Sequence, residues 1–317
     1  MEGQHRDLVV VVYNPAKVDE GSLRAAVGAQ APLTARVEWV ATTPEDSGYA
    51  QAAAAAQAGA VLVIAAGGDG TVRLVASALA GSGVALGIVP AGTGNLLARN
   101  LALDLGLEAS VARAFHGRDR RIDVCEARLH RADRSTDVMR FVVMAGVGAD
   151  AEMIEHTDED LKERIGPAAY VPGVVRALRG GNNVRATFSF DGERVAKKRL
   201  HTLIIGNCGD VYSHVPLLPN ARPDDGKLDL VTIAPRGPLG WARVAALVAG
   251  NTVLRLVGRG SHLFTPRPPN AMTFESGERV TIEFGSPEIF EVDGDTIGRV
   301  RAAEIDILAG ALVVRAD

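Results

Sequence analysis

Six apolar residues, Val61-Leu62-Val63-Ile64-Ala65-Ala66, run straight into Gly67-Gly68-Asp69-Gly70-Thr71. A short aliphatic and β-branched run of this kind reads as a buried strand of a parallel sheet. Three glycines and one carboxylate at its carboxyl end leave a turn that no bulky side chain obstructs. The segment Thr71 to Leu79 then reads as a helix. Strand, glycine turn and helix together aim free backbone N–H groups and the positive end of a helix dipole at a phosphate. The turn is not a Walker A loop, because the chain's only Gly-Lys pair, Gly226-Lys227, is followed by Leu228 where Ser or Thr is needed. Nor do Gly67, Gly68 and Gly70 have the G-x-G-x-x-G spacing of a dinucleotide fingerprint. Two readings of Asp69 stand: it helps organise magnesium at a phosphate cradle, or it caps the helix that follows.

A second unit of the same design comes next. Ala85 to Pro90 is strand-like, Ala91-Gly92-Thr93-Gly94-Asn95 is the turn, and Leu96 to Leu101 reads as a helix. Two such turns on neighbouring parallel strands would face each other across one crevice at the carboxyl edge of the sheet. Both carry polar side chains, Asp69 and Thr71 in the first, Thr93 and Asn95 in the second.

With these motifs in hand, the chain resembles the diacylglycerol kinase catalytic family, which includes bacterial soluble lipid kinases and the related sphingosine kinases. Four features carry the resemblance across nearly the whole chain: Asn14-Pro15, the run Gly67 to Thr71, the stretch Pro90 to Asn95, and Asp293-Gly294-Asp295. It implies the two-domain fold shared by NAD kinases and diacylglycerol kinases. An α/β nucleotide-binding domain with a mostly parallel sheet would span 1–120 and be joined by the strand 301–317. A mainly-β lipid-substrate domain, a sandwich, would span 121–300. The local patterns agree. To about residue 120 strands and helices alternate: Leu8 to Val12, Ser22 to Gln30, Ala35 to Ala41, then the alanine-rich Tyr49 to Ala58. Beyond Arg121 strand patterns dominate, with Asp191-Gly192 as a hairpin turn and Gly277, Gly285 and Gly294 punctuating short strands. Helical inserts are expected near Glu152 to Arg179 and Leu239 to Val257, and a last strand at Ala311 to Arg315.

The resemblance also implies roles. ATP would lie in the crevice, with Gly67, Gly68, Asp69, Gly70 and Thr71 at the phosphates. Gly92, Thr93 and Asn95 would close the other side, and Asn14 with Thr42 or Thr43 would line the adenosine end. Asp69 would place catalytic Mg²⁺, a hard cation that takes oxygen ligands. The acceptor hydroxyl needs a base. In the family the triplet is usually Asp-Gly-Glu with the end acid as base; here that residue is Asp295, one methylene shorter, and Asp293 is the alternative. Asp-Gly is equally a type I′ hairpin turn, and both descriptions can hold together. The Asp225 carboxylate, with the backbone carbonyls of Arg222 and Lys227, resembles the site where bacterial members hold a structural Mg²⁺. Asp150, after the strand Phe141 to Met144, would lie near the lipid headgroup. The segment Trp241 to Arg259, with three arginines, is either a membrane-facing helix or one packed on its own domain.

Composition bounds the function. The 317 residues suffice for two domains and a sizeable core, and 47% hydrophobic with 23% charged is ordinary for a globular chain. A net charge of −4 gives no electrostatic case for nucleic acid. It also argues against overall attraction to an anionic membrane, although a local basic patch could supply it. Two distant cysteines, Cys125 and Cys208, suggest no disulfide framework, and no leader or membrane-spanning run is legible. A cytoplasmic enzyme is expected, one that meets its lipid peripherally at the inner membrane surface. The oligomeric state stays open, a homodimer included. Two competitors remain: a soluble-metabolite kinase of the NAD kinase type, and a catalytically silent nucleotide- or lipid-binding regulator.

Overall fold

A computed structural model describes residues 7–148, 184–212, 215–256 and 271–317. The chain divides into two units, the first Met1–Val124 with Leu308–Asp317, the second Cys125–Ile307.

The first unit is a βα repeat. β1 (Leu8–Tyr13), α1 (Glu20–Gln30), β2 (Arg36–Ala41), α2 (Tyr49–Gln57), β3 (Leu62–Gly67), α3 (Asp69–Leu79) and β4 (Ala85–Pro90) follow one another. Two further helices, α4 (Leu96–Asn100) and α5 (Leu107–His116), complete the run. The sheet order is β2-β1-β3-β4, and all three pairings are parallel. Every residue of β1 and β3 is buried, as a strand covered on both faces requires. β2 lies at the edge and is half exposed. Val11, Leu23, Ile64, Val89 and Val111 share one core. Each fully buried aliphatic side chain there stabilises the fold by about 1.5–3 kcal/mol. α1 begins where Asp19 caps it, its carboxylate accepting from the Ser22 amide at 2.8 Å.

The second unit is mainly antiparallel. It contains β5 (Arg118–His130) from Cys125 on, β6 (Thr136–Phe141), β7 (Met144–Val147), β8 (Val184–Phe190), β9 (Glu193–Leu200) and β10 (Thr202–Gly206). Then come β11 (Asp210–Tyr212), β12 (Val215–Pro216), β13 (Leu228–Ile233), α6 (Gly237–Leu256), β14 (Met272–Gly277), β15 (Arg279–Val292) and β16 (Asp295–Ala316) as far as Ile307. The order β14-β13-β10-β7-β15-β16 forms the main sheet, with β8 and β9 paired off β15, and β5 and β6 off β16. Phe141, Phe188 and Phe290, all fully buried, centre its core.

Four expectations change. The strand read at Phe141 to Met144 is broken: β6 ends at Phe141, β7 starts at Met144, and Val142-Val143 form a corner. Gly285 does not end a strand, because β15 runs through it with a register shift between Glu283 and Glu288. The last strand is not a short one at Ala311 to Arg315 but the end of the 22-residue β16. It is long because it serves both units, pairing β15 through Asp306 and then β4 at Val313 and Val314. α3 starts at Asp69, two residues before the helix read from Thr71, and its N-cap is Gly68 without a side-chain cap. The insert Glu152 to Arg179 and the residues Val257 to Arg259 lie outside the described residues. Among those described, no helix is long and apolar enough to cross a membrane.

Candidate active site

In the first unit every assigned residue sits at the carboxyl end of a parallel strand, where open α/β sheets bind ligands. The two glycine turns touch backbone to backbone. A Cβ on Gly92 would lie 2.8 Å from the Gly68 Cα, and one on Gly67 would meet the Thr71 side chain at 2.8 Å. Only glycine lets the strands β3 and β4 close this far, and the Ala91 amide donates to the Gly67 carbonyl at 2.8 Å across the gap. The result is a bare peptide surface ahead of the α3 N-terminus, the form a phosphate cradle takes.

Asp69 ties the turns together. Its two carboxylate oxygens accept from the Asn95 amide at 2.8 Å and the Leu96 amide at 2.6 Å. It therefore caps α4 and not α3, which corrects the capping alternative read from the sequence. Burial raises its pKa above the ordinary aspartate value, opposed by those amides and by the charge of Lys17. Asn95 sits in the left-handed region at φ 49 and spends its side chain on the backbone of one residue. Its Oδ1 accepts from the Gly92 amide at 2.9 Å, and its Nδ2 donates to the Gly92 carbonyl at 2.8 Å. Asn95 thus shapes the second turn, while Thr93 is exposed beside it.

The adenosine-end candidates occupy the neighbouring strand ends. The Asn14 amide donates to the Ala66 carbonyl at 2.9 Å, and its Oδ1 accepts from the Ala16 amide. Thr42 is buried with its amide on the Tyr13 carbonyl at 2.8 Å. Thr43 is exposed, and its hydroxyl accepts from the Asp46 amide. Sequence reasoning missed Lys17. Its Nζ lies 2.9 Å from where a Gly68 Cβ would stand, so the ammonium overhangs the first glycine turn. A lone lysine three residues past Asn14 carries no spacing signal; only the β1–α1 turn brings it there.

The second unit holds the remaining candidates. Asp293 and Gly294 form a two-residue hairpin turn with φ 47 and 91, the type I′ form, and Asp295 closes it opposite Val292. Asp293 is 5% exposed, and its carboxylate takes three amides: Val142 at 3.1 Å, Val143 at 3.0 Å and Met144 at 2.8 Å. Asp295 is exposed. A second Asp-Gly-acid triplet, Asp191-Gly192-Glu193, turns the same way at φ 46 and 85 between β8 and β9. Its literal Asp-Gly-Glu spelling does not by itself distinguish it from the triplet at Asp293.

The Asp225 loop is local. The Lys227 amide donates to the Asp225 carboxylate at 3.1 Å, and Gly226 takes φ 72. The Arg222 guanidinium lies 3.9 Å from Asp224. Asp229 follows, its pKa pushed up to about 6 by burial and by the charge of Asp225, against a Ser276 hydrogen bond and the Lys227 charge. Its Oδ2 is buried without a hydrogen-bond partner. Asp225 and Asp229 thus stand close enough for one carboxylate to feel the other's charge. Among the described residues no cluster of three or more His, Cys, Asp or Glu is arranged to hold a metal. Asp150 lies outside the described residues.

Residues 8–127 match the family model for the diacylglycerol kinase catalytic domain, and 142–316 match that for the YegS C-terminal NAD kinase beta sandwich-like domain. A Pseudomonas aeruginosa protein named probable lipid kinase YegS-like is 35% identical over 243 residues, 73% of each chain. A Staphylococcus carnosus diacylglycerol kinase is 25% identical, over 76% of this chain and 72% of its own. The chain spans half the length of another relative, an uncharacterized Synechocystis protein 26% identical to it. The fold matches a Bacillus anthracis diacylglycerol kinase at TM-score 0.69 and 17% identity, covering 98% of this chain and 97% of that one. Yeast NADH kinase follows at TM-score 0.51 and 12% identity, covering 99% and 84%. With its parallel-sheet unit matched to one model and its strand-rich unit to the other, the chain belongs to the diacylglycerol kinase and YegS-like lipid kinase family.

Proposed function

We propose that this chain is an ATP-dependent lipid kinase that transfers the γ-phosphate to a lipid hydroxyl, with diacylglycerol as the default acceptor and a sphingoid base as the variant. The observation that carries this reading is the pair of glycine turns joined by Asp69 with the Lys17 ammonium above Gly68. Phosphoryl transfer needs positioning and charge neutralisation more than covalent chemistry. The peptide groups of Gly67 to Thr71 bind and orient the phosphates, and Lys17 balances their charge. Asn14, with Thr42 or Thr43, lines the adenosine end. Asp69 fits a magnesium ion, since its two oxygens offer about four acceptor positions and the three backbone amides they accept do not fill them. When bound, that ion supplies charge neutralisation at the phosphates. Asp295 takes the proton from the acceptor hydroxyl; in a loose transition state a carboxylate suffices for this if it is well placed. Asp225, with the carbonyls of Arg222 and Lys227, would hold a structural cation, and Asp150 the headgroup. The enzyme would meet its lipid at a membrane surface.

The test is label transfer from γ-labelled ATP with Mg²⁺ to diacylglycerol, monoacylglycerol, sphingosine and ceramide in mixed micelles, with NAD in parallel. Label in one lipid is expected. Asp69→Ala should abolish that transfer with the fold intact, and Lys17→Ala should raise the KM for ATP about tenfold by removing one charge-assisted contact. Label in NAD alone would overturn the lipid assignment.

A further inference from the structure

Asp293 is too deeply committed to backbone groups to act as the base, and the same commitment gives it another task. The Val142-Val143-Met144 corner turns three successive amides toward one point, and the Asp293 carboxylate occupies that point. The contact is reciprocal, because the Asp293 amide donates to the Met144 carbonyl at 2.8 Å. The other carbonyls of the corner are taken by the loop after β10. The Asn207 amide donates to Val143 at 2.9 Å, and the Cys208 thiol lies on the Val142 carbonyl at 3.4 Å. Three segments therefore meet in one knot: the β15–β16 turn, the β6–β7 corner and the loop after β10. A charged acceptor with several amide donors is among the stronger hydrogen-bonded arrangements available to a protein. Asp295 is two residues away along a turn whose two central residues sit in the left-handed region, so its carboxylate inherits its place from this anchor.

We infer that Asp293 is a positioning residue: its carboxylate, clamped by the Val142, Val143 and Met144 amides, holds the β15–β16 turn so that Asp295 faces the acceptor hydroxyl. The inference rests on the lipid-kinase reading above. The turn at Asp191 supplies an internal control. There the carboxylate accepts from the Glu278 amide at 3.1 Å and the Arg279 amide at 2.9 Å, and the Asp191 amide donates to the Arg279 carbonyl at 3.0 Å. The device is the same, but no proposed catalytic group follows it.

The experiment compares Asp293→Asn, Asp293→Ala and Asp191→Ala with the unmodified chain. Asp293→Asn keeps the volume and one acceptor oxygen but turns an NH₂ toward the Val142 amide, and it carries the test if the alanine variant does not fold. Amide exchange at Val142 to Met144 should quicken about tenfold or more in the Asp293 variants. Lipid kcat should fall about 10²-fold, as for a misplacement of the order of 1 Å. The KM for ATP and the acid limb of the pH–rate profile should stay where they are, since the substitution leaves the ATP cradle and the Asp295 carboxylate chemically unchanged. Asp191→Ala should quicken exchange at Glu278 and Arg279 and leave kcat unchanged. Faster exchange at the corner with kcat intact would overturn the inference. So would loss of the acid limb in Asp293→Asn, which would make Asp293 the base. Unchanged exchange would show that the corner does not depend on the carboxylate. Failure of the unmodified chain to phosphorylate any lipid is a different result, and it removes the kinase reading itself.

Discussion

Two hairpin turns in the second unit are built alike and stand in different surroundings. Asp191-Gly192 and Asp293-Gly294 both take two left-handed residues, both lead into an acid, and both send the aspartate carboxylate to amides of a neighbouring segment. Asp191 is exposed and lines an open hollow of about 630 Å³ with Ser189, Thr281 and the paired Arg279 and Asp306. Asp293 is buried, and its three amide donors belong to a corner that breaks what would otherwise be one strand. The first turn ends a hairpin; the second also joins three segments. Turn chemistry alone therefore does not mark a functional carboxylate. What separates the two turns is the number of segments each aspartate joins.

The comparison breaks most readily at the acids that follow. Asp295→Ala should lower lipid turnover by about 10²–10⁴-fold, the usual contribution of a general base, whereas Glu193→Ala should leave it unchanged. Equal losses, or none, in initial-rate assays would erase the distinction between the turns. Asp295→Glu should keep or raise turnover, since it restores the family's usual acid; a large loss there would indicate a site shaped around the shorter side chain. A smaller effect is expected at the glycines. Gly294→Ala and Gly192→Ala should each lower stability by about 1 kcal/mol, because both positions are left-handed. Urea midpoints should drop together, while kcat falls only for Gly294→Ala.

The smallest effect sharpens the contrast from outside it. Asp229 is a carboxylate whose Oδ2 is buried without a partner, unlike the amide-clamped Asp293. Its folded pKa of about 6 lies above the ordinary 3.8, so the folded chain keeps a proton that the unfolded chain releases. That contribution is complete below about pH 4 and is lost as pH rises through 6. After solvent screening it amounts to on the order of 1 kcal/mol. Asp229→Asn should flatten this decline in a series of melting temperatures across the interval. Millimolar Mg²⁺ should do the same for the unmodified chain if the Asp225 loop binds it.

Much of the first unit was legible because its signals are local. An apolar run followed by Gly67-Gly68-Asp69-Gly70-Thr71 names a strand, a turn and a helix within a dozen residues, and so does Ala85 to Leu101. What Asp69 bonds to was not legible, since Asn95 and Leu96 lie a whole βα unit away. Lys17 was hidden for the same reason. In the second unit, Val142 and Val143 carry the β-branched signature of a strand, yet a buried carboxylate 150 residues on draws the Val143 amide to itself. Local propensity proposes and tertiary hydrogen bonding decides. The length of β16 was not legible, because two glycines inside it, Gly298 and Gly310, sit at positive φ without ending the strand.

That long strand also sets a timetable for synthesis. β4 stands at the margin of the first unit's parallel sheet until Val313 and Val314 arrive to pair with Ala85 and Leu86. A ribosome must therefore make all of the second unit before the first can finish. During that interval the nascent chain displays an unpaired apolar edge, the kind of surface that recruits chaperones or mispairs with another nascent chain. β16 is made after the rest of the second unit yet completes the sheet of the first, so its pairing with β4 is a long-range contact of the kind that forms slowly.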